Sequence, residues 1–296
     1  MQQNNRISFY ESIARNKRNS IFLILTVALV LVGLIYIIGI AIGGDIFIIS
    51  IFAIVFSLTY ILINYHNSAK IVLWSVGAKE ADPINFKQYH DLVEGLCLAS
   101  GMPKPKLYIM KNEQINAFAT GKNPKNSVIC VTTGALKKLD KKELEGVLAH
   151  ELSHIANYDI KFMTLTVVFV GLISIIAETF LRILFFGGIN RKGSRTKGFI
   201  LIVFIAIALS ILAPVFASLV QLAISRRREY MADATAVKFI RSPTGLIGAL
   251  EKIKNNPQMK VSKAVAPLFL AKPFRTAEIF STHPPIEKRI EILKRM

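Results

Sequence analysis

A chain of 296 residues, 52% of them hydrophobic, with a mean hydropathy of +0.46, carries too much apolar surface for an ordinary globular exterior, so part of it must face lipid. The net charge of +18 allows an anionic membrane surface or a nucleic acid as partner. It gathers beside apolar runs (Arg15, Lys17 and Arg18 before one, Arg226, Arg227 and Arg228 after another), with no aromatic-interleaved basic patch, which argues for the lipid bilayer and against nucleic acid. Cys97 and Cys130 are the only cysteines; neither has metal-ligand spacing, and no disulfide framework is expected, as befits a reducing compartment.

In chain order, the first apolar run extends from about Ile21 to Ile42 and the second from about Ile46 to Ile63, with Gly43-Gly44-Asp45 between them. Each is near the roughly 20 residues that cross hydrocarbon as a helix. The first is too long, and too closely followed by the second, for a cleaved signal peptide. Arg6, Arg15, Lys17 and Arg18 precede the first run, whereas the turn after it holds only Asp45. This bias puts the N-terminus and the chain from Tyr65 onward in the cytosol, with residues 1–64 as a transmembrane hairpin.

Residues 65–160 read as the first part of a cytosolic domain. A helix is expected over Pro83–Ser100, ended by Gly101 with Pro103 beyond it. Lys106–Met110 reads as a strand. Asn116-Ala117-Phe118-Ala119 and Val128–Thr132 read as two more, joined as a hairpin by the turn-rich stretch from Gly121 to Asn126. Asp140 and Glu143 have capping-box spacing and open a helix.

That helix carries His150-Glu151-Leu152-Ser153-His154. Positions i and i+4 share a helix face, so both imidazoles can reach one ion, and the adjacent Glu151 can take a proton from an attacking water. Leu144, Val147, Leu148, Leu152 and Ile155 supply an apolar flank that buries the helix. A catalytic zinc has three protein ligands and one open position. The third ligand is sought among His66, His90, His283 and the carboxylate of Glu229, with Asp233 one turn further along the same face as a partner for a liganding histidine.

Two more apolar runs, about Met163–Phe186 and Phe199–Ile224, make up residues 161–225. The turn between them holds Arg191, Lys192, Arg195 and Lys197; either the charge rule is overridden there or this pair does not fully cross. Glu178 and Arg182, four apart in the third run, read as a bundle-facing ion pair, with a role near the substrate or active site as the alternative. An even number of crossings separates His154 from Glu229 in either case, so the candidate ligands lie on one side. Residues 226–296 form the second cytosolic part, with helices expected over Arg226–Phe239 and from Ser242 as N-cap.

The ordered set resembles the HtpX-type membrane proteases, relatives of the type I CAAX prenyl proteases within the gluzincins. The set comprises two N-terminal spans, Asn116–Ala119, His150–His154, two further apolar runs, Glu229–Asp233 and Ser281-Thr282-His283-Pro284-Pro285. The resemblance implies one zinc ion per chain held by His150, His154 and Glu229. It further implies that Asp233 supports the site, Glu151 is the catalytic base, and His283 stabilises the oxyanion. Asn116, Ala117, Phe118 and Ala119 would be a substrate-binding edge strand, and Asn157 and Asp159 are also familiar from the family, with capping and ligand-orienting roles both open. The expected fold is a mostly α membrane protein with four hydrophobic helical segments and a cytosolic α+β gluzincin-like metalloprotease domain containing a small β-sheet. The expected substrates are membrane or unfolded proteins. A prenyl-protein endopeptidase would need more spans, and a scaffold with a structural zinc site would not need Glu151.

Overall fold

The computed structural model describes residues 9–41, 45–169, 226–255, 268–270 and 284–296. Helices α1 (Phe9–Ala41) and α2 (Ile46–Ser75) form the N-terminal hairpin. Both contain windows long and apolar enough to cross a membrane, at residues 16–33 and 46–75. Asp45 caps α2 by accepting from the amides of Phe47 and Ile48 at 2.9 and 3.0 Å. The second apolar run was expected to end near Ile63, yet the helix continues to Ser75. Its buried positions Ile49, Ala53, Ser57, Ile61, Asn64, Ser68 and Val72 recur every three or four residues, so one packed stripe carries the helix past the end of the apolar run. At 1.5 Å per residue α2 is about 45 Å long, well beyond the roughly 30 Å of hydrocarbon. Its last turns therefore reach into the polar domain.

There they meet a four-stranded sheet of β1 (Lys79–Glu80), β2 (Lys106–Met110), β3 (Ala117–Asn123) and β4 (Asn126–Thr132), in the order β1-β2-β4-β3. The β2–β4 pair is parallel and β3–β4 antiparallel, which leaves β3 at an edge. The expected hairpin is present but tighter than its sequence suggests, with both strands extending into the turn-rich stretch and only Pro124-Lys125 between them. Asn123 closes it by accepting from the Asn126 amide at 2.9 Å. One face of the sheet (Ala117, Ala119, Ile129, Val131) shares a core with Leu144, Val147, Leu148 and Leu152. The other (Phe118, Val128, Cys130) packs on Val72 and Leu73 of α2 and on Met163, Val167 and Val168. The sheet is thus a layer between the membrane-proximal helices and the helices that build the site.

Helix α3 (Lys87–Ser100) starts later than expected, because Asp82 holds Asn85 and Phe86 in a turn, and it ends at Gly101 with φ 68°. A short α4 (Thr133–Lys138) precedes α5 (Lys141–Ala156). The capping box at the start of α5 forms as expected, with Glu143 N–H to Asp140 at 2.9 Å and Asp140 N–H to Glu143 at 2.7 Å. After a turn at Asn157 and Tyr158, residues 159–169 are helical again and bury Phe162, Leu165 and Phe169 against Leu23, Val27 and Leu31 of α1. The remainder of the third run with Glu178 and Arg182, the fourth run, the basic turn between them and His283 lie outside the described residues. Helix α6 (Arg226–Ile240) agrees with expectation. The next helix, α7 (Thr244–Lys254), starts with Pro243 rather than Ser242 at its N-cap; the Ser242 hydroxyl still accepts from the Thr244 amide, at 3.4 Å. Helix α8 (Ile286–Leu293) closes the domain.

Helices α5 and α7 touch backbone to backbone. A Cβ added at Gly146 would lie 2.4 Å from the Leu246 amide nitrogen, and one at Gly245 would lie 2.2 Å from the Lys142 carbonyl oxygen. Gly146→Ala should therefore push the two helices apart and cost about 1–3 kcal/mol, read as a lower melting temperature in detergent. An unchanged melting temperature would contradict this close approach.

Candidate metal centre and active site

Helix α5 brings His150 and His154 to one face with both imidazoles buried, their Nε2 atoms 3.1 Å apart. Helix α6 crosses α5 and presents Glu229 between them, one carboxylate oxygen 3.6 Å from His150 Nε2 and the other 3.6 Å from His154 Nε2. One ligand atom from each of the three lies within 4.8 Å of the others. Two ligands of a tetrahedral zinc ion are about 3.3 Å apart, so these spacings and this donor set fit a single ion. Of the other histidines considered as third ligand, His66 Nδ1 faces the Leu62 carbonyl and His90 Nε2 the Ala81 carbonyl, each at 3.0 Å, and His283 lies outside the described residues.

Each of the two histidines has a carboxylate behind it. Asp233, one turn beyond Glu229 on α6, lies 2.9 Å from His150 Nδ1, and Asp159 lies 2.9 Å from His154 Nδ1. Both accept the Nδ1 proton, which fixes the tautomer and leaves each Nε2 lone pair for a metal. Arg289 Nη2 is 3.3 Å from His150 Nδ1; with that nitrogen protonated the two are neighbours rather than partners, and both donate to Asp233.

Arg289, on α8, is 1% exposed and makes a bidentate pair with Asp233, Nε to Oδ2 at 2.9 Å and Nη2 to Oδ1 at 2.6 Å. Its Nη1 lies 3.6 Å from Glu229. Sequence reading missed it, although a signal existed: Arg289 interrupts the apolar stripe Ile286, Ile290, Leu293, where a solvated arginine would not stand. Asp159, left open between two roles, proves to be the partner of His154, while Asn157 is the residue that ends α5.

The buried charges do not balance. Among the described residues, Glu151, Asp159, Glu229 and Asp233 are all buried around this point, against the buried guanidinium of Arg289. Without a metal the excess falls on the histidines. Burial, the largest influence on His150, pushes its imidazole down, as Arg289 does, but Asp233 and Glu229 outweigh both and bring it up to about 9. His154 is also raised: burial opposes, and Asp159 and Glu229 prevail. For Glu151 burial itself is the main cause, raising its carboxyl above the ordinary range while the nearby histidines pull the other way. Asp233 is lowered, because Arg289 and His150 overcome its burial.

A metal needs the lone pair that a proton occupies on His150 at pH 7, so binding must expel that proton. Metal uptake at pH 7 should release at least about one proton, and apparent affinity should rise about tenfold per pH unit until about pH 9. Titration calorimetry in buffers of different ionisation enthalpy checks this; heats independent of buffer would contradict it.

The profile of Peptidase family M48 matches residues 83–296, which span the whole cluster. The chain belongs to peptidase family M48. It is 47% identical over 249 residues to a "Protease HtpX homolog" of Caldanaerobacter subterraneus subsp. tengcongensis, covering 82% of this chain and 83% of the relative. With a protein of the same description from Thermoanaerobacter pseudethanolicus it shares 43% identity over 294 residues, 98% of each. Among solved structures it resembles S. mikatae Ste24p with a TM-score of 0.52 at 19% identity. The match covers 96% of this chain and 66% of that one, and it speaks to the fold alone. Membership of this family makes the chain a membrane metalloendopeptidase, in keeping with the two membrane-length helices among the described residues and the His150–His154–Glu229 cluster.

Proposed function

We propose that this is a multi-pass, zinc-dependent endopeptidase of the cell membrane whose active site faces the cytoplasm. It cleaves membrane or unfolded proteins there, as part of protein quality control under stress. The observation that carries this reading is the convergence of His150 Nε2, His154 Nε2 and the Glu229 carboxylate beside the buried Glu151. His150, His154 and Glu229 are the ligands, Asp233 and Asp159 orient the histidines, and Glu151 is the base. The basic N-terminal flank supports the cytoplasmic orientation, and the apolar runs within residues 161–225 support two further segments in the membrane.

A bound zinc ion would supply Lewis acidity towards the scissile carbonyl and the attacking water. The chain's own residues do the rest. Glu151 accepts the water's proton on its carboxylate, holds it in a buried site where its carboxyl is raised, and delivers it to the leaving amine. Atoms balance with no covalent enzyme intermediate: the amide C–N bond breaks, and water supplies hydroxyl to the acyl carbon and hydrogen to the nitrogen. His283 is assigned to the developing oxyanion by resemblance, and α8, which begins three residues after it, carries Arg289 into the site.

Asn116, Ala117, Phe118 and Ala119 are assigned to substrate binding by strand addition. The Thr132 amide donates to the Asn116 carbonyl at 3.0 Å, so by alternation Ala117 and Ala119 turn their backbone groups away from β4. Both groups of Ala117 are engaged within the chain, its amide donating to Asn116 Oδ1 and its carbonyl accepting from the Leu270 amide, each at 3.0 Å. Ala119 is then the position at which a substrate backbone would pair.

The test is cleavage of an unfolded protein by the detergent-purified enzyme. A chelator should abolish it, and about one equivalent of zinc should restore it, but not in His154→Ala. Cleavage indifferent to chelation would sink the zinc assignment, and cleavage confined to small soluble peptides would argue against protein substrates.

A further inference from the structure

Asn16 lies on α1, a few residues before the apolar run, and is 4% exposed. Its carboxamide nitrogen donates to Asp159 Oδ1 at 2.6 Å and to the Asn157 carbonyl at 3.2 Å. Its carboxamide oxygen accepts from Arg228 Nη1 at 3.3 Å. The other oxygen of Asp159 is the one beside His154 Nδ1, and Arg228 is the residue before Glu229. One side chain of the first membrane helix therefore bridges the carboxylate behind His154 and the arginine that precedes Glu229, two points far apart in sequence. Two aromatic contacts reinforce the junction: Lys17 Nζ lies 4.7 Å from the centre of the Tyr158 ring, and the Arg228 guanidinium 5.5 Å from that of Phe162.

We propose that Asn16 is a positioning residue that ties the membrane hairpin to the metal centre, so that ion retention depends on α1. This rests on the assignment of His150, His154 and Glu229 as ligands. Asp159 can hold the His154 ring at one angle only if its own rotation is stopped. The Asn16 donor stops it, and it also satisfies a carboxylate oxygen that would otherwise be buried without a partner. The carboxamide is suited to this place because it donates to Asp159 and accepts from Arg228 at once. An aspartate of the same shape would keep the contact with Arg228 but set two carboxylates against each other.

Asn16→Asp and Asn16→Ala test this in the full chain, purified in detergent. Thr26→Val serves as a control on the same helix, since the Thr26 hydroxyl donates to the Phe22 carbonyl of its own helix. Zinc affinity is measured by competition with a chromophoric chelator, and melting temperature is followed alongside. The expected result is a 10–100-fold loss of zinc affinity in both Asn16 variants, with wild-type affinity in Thr26→Val. A merely structural asparagine would lower the melting temperature but leave the folded protein's zinc affinity unchanged, which would overturn the proposal. Asn16→Ala adds no charge and decides the question if the aspartate variant does not fold. His154→Ala is run in parallel: undiminished zinc binding there would mean that the ligand assignment has failed, not the role of Asn16.

Discussion

Glu151→Gln should lower cleavage of an unfolded protein by at least about 10³-fold while the enzyme keeps about one zinc per chain. The two halves of this result come from different features of the site. Glutamine has the same shape, so α5 and its histidines remain in register and the ligand set is untouched. What is lost is a group that can bind a proton: a carboxamide cannot take one from water or return it to an amine. The position of Glu151 makes the loss large. It is 1% exposed, so no bulk water stands ready as a substitute base, and burial raises its carboxyl above the ordinary carboxylate range, which strengthens it as a proton acceptor. Zinc loss together with activity would instead make Glu151 a structural part of the ion site. Retention of both would remove it from the chemistry.

Arg289→Met should be the most damaging single change to the stability of the metal-free protein, by about 3–5 kcal/mol, through a melting temperature many degrees lower in detergent. Methionine fills much of the volume, so the effect is mainly electrostatic. Asp233 would stay buried with the Arg289 pair gone, leaving His150 as its remaining cationic neighbour. Glu229 would lose the guanidinium 3.6 Å away. The zinc-loaded form should suffer less, because a divalent ion supplies charge at the same point and stabilises only the folded state. The gap between the two melting temperatures should therefore widen in the variant. Equal destabilisation of both forms would show that Arg289 matters for packing alone.

The sequence made the short-range parts of this site legible. His150 and His154, and Glu229 and Asp233, are each i, i+4 pairs whose geometry follows from the helix itself. Helix α5 was bounded by a capping box written into Asp140 and Glu143. What could not be read was which side chains from distant segments complete the site. Arg289 meets Asp233 across 56 positions and Asn16 meets Asp159 across 143, and no local period encodes either contact. Hydropathy marks the apolar run but not the end of α2. The run of apolar residues stops at Ile63, but the helix is held further by Ser68, Val72 and Leu73, which pack on the sheet or continue the buried stripe. A hydropathy window reports where lipid contact ends, and tertiary packing decides where the helix ends. The tight hairpin at Pro124-Lys125 is a similar case. Gly121, Asn123 and Asn126 read as loop residues by composition, yet β-pairing extends through them with an irregularity between Gly121 and Asn123.

The central claim is that one zinc ion is held by two imidazoles and one carboxylate with a position left open. Zinc K-edge X-ray absorption on the purified, zinc-loaded protein tests it most directly, with Glu229→Ala beside the wild type. The account predicts a shell of nitrogen and oxygen only, with multiple scattering from two histidines, and a spectrum altered by Glu229→Ala. A sulfur neighbour, four histidine-like ligands, or a spectrum indifferent to Glu229→Ala would contradict it.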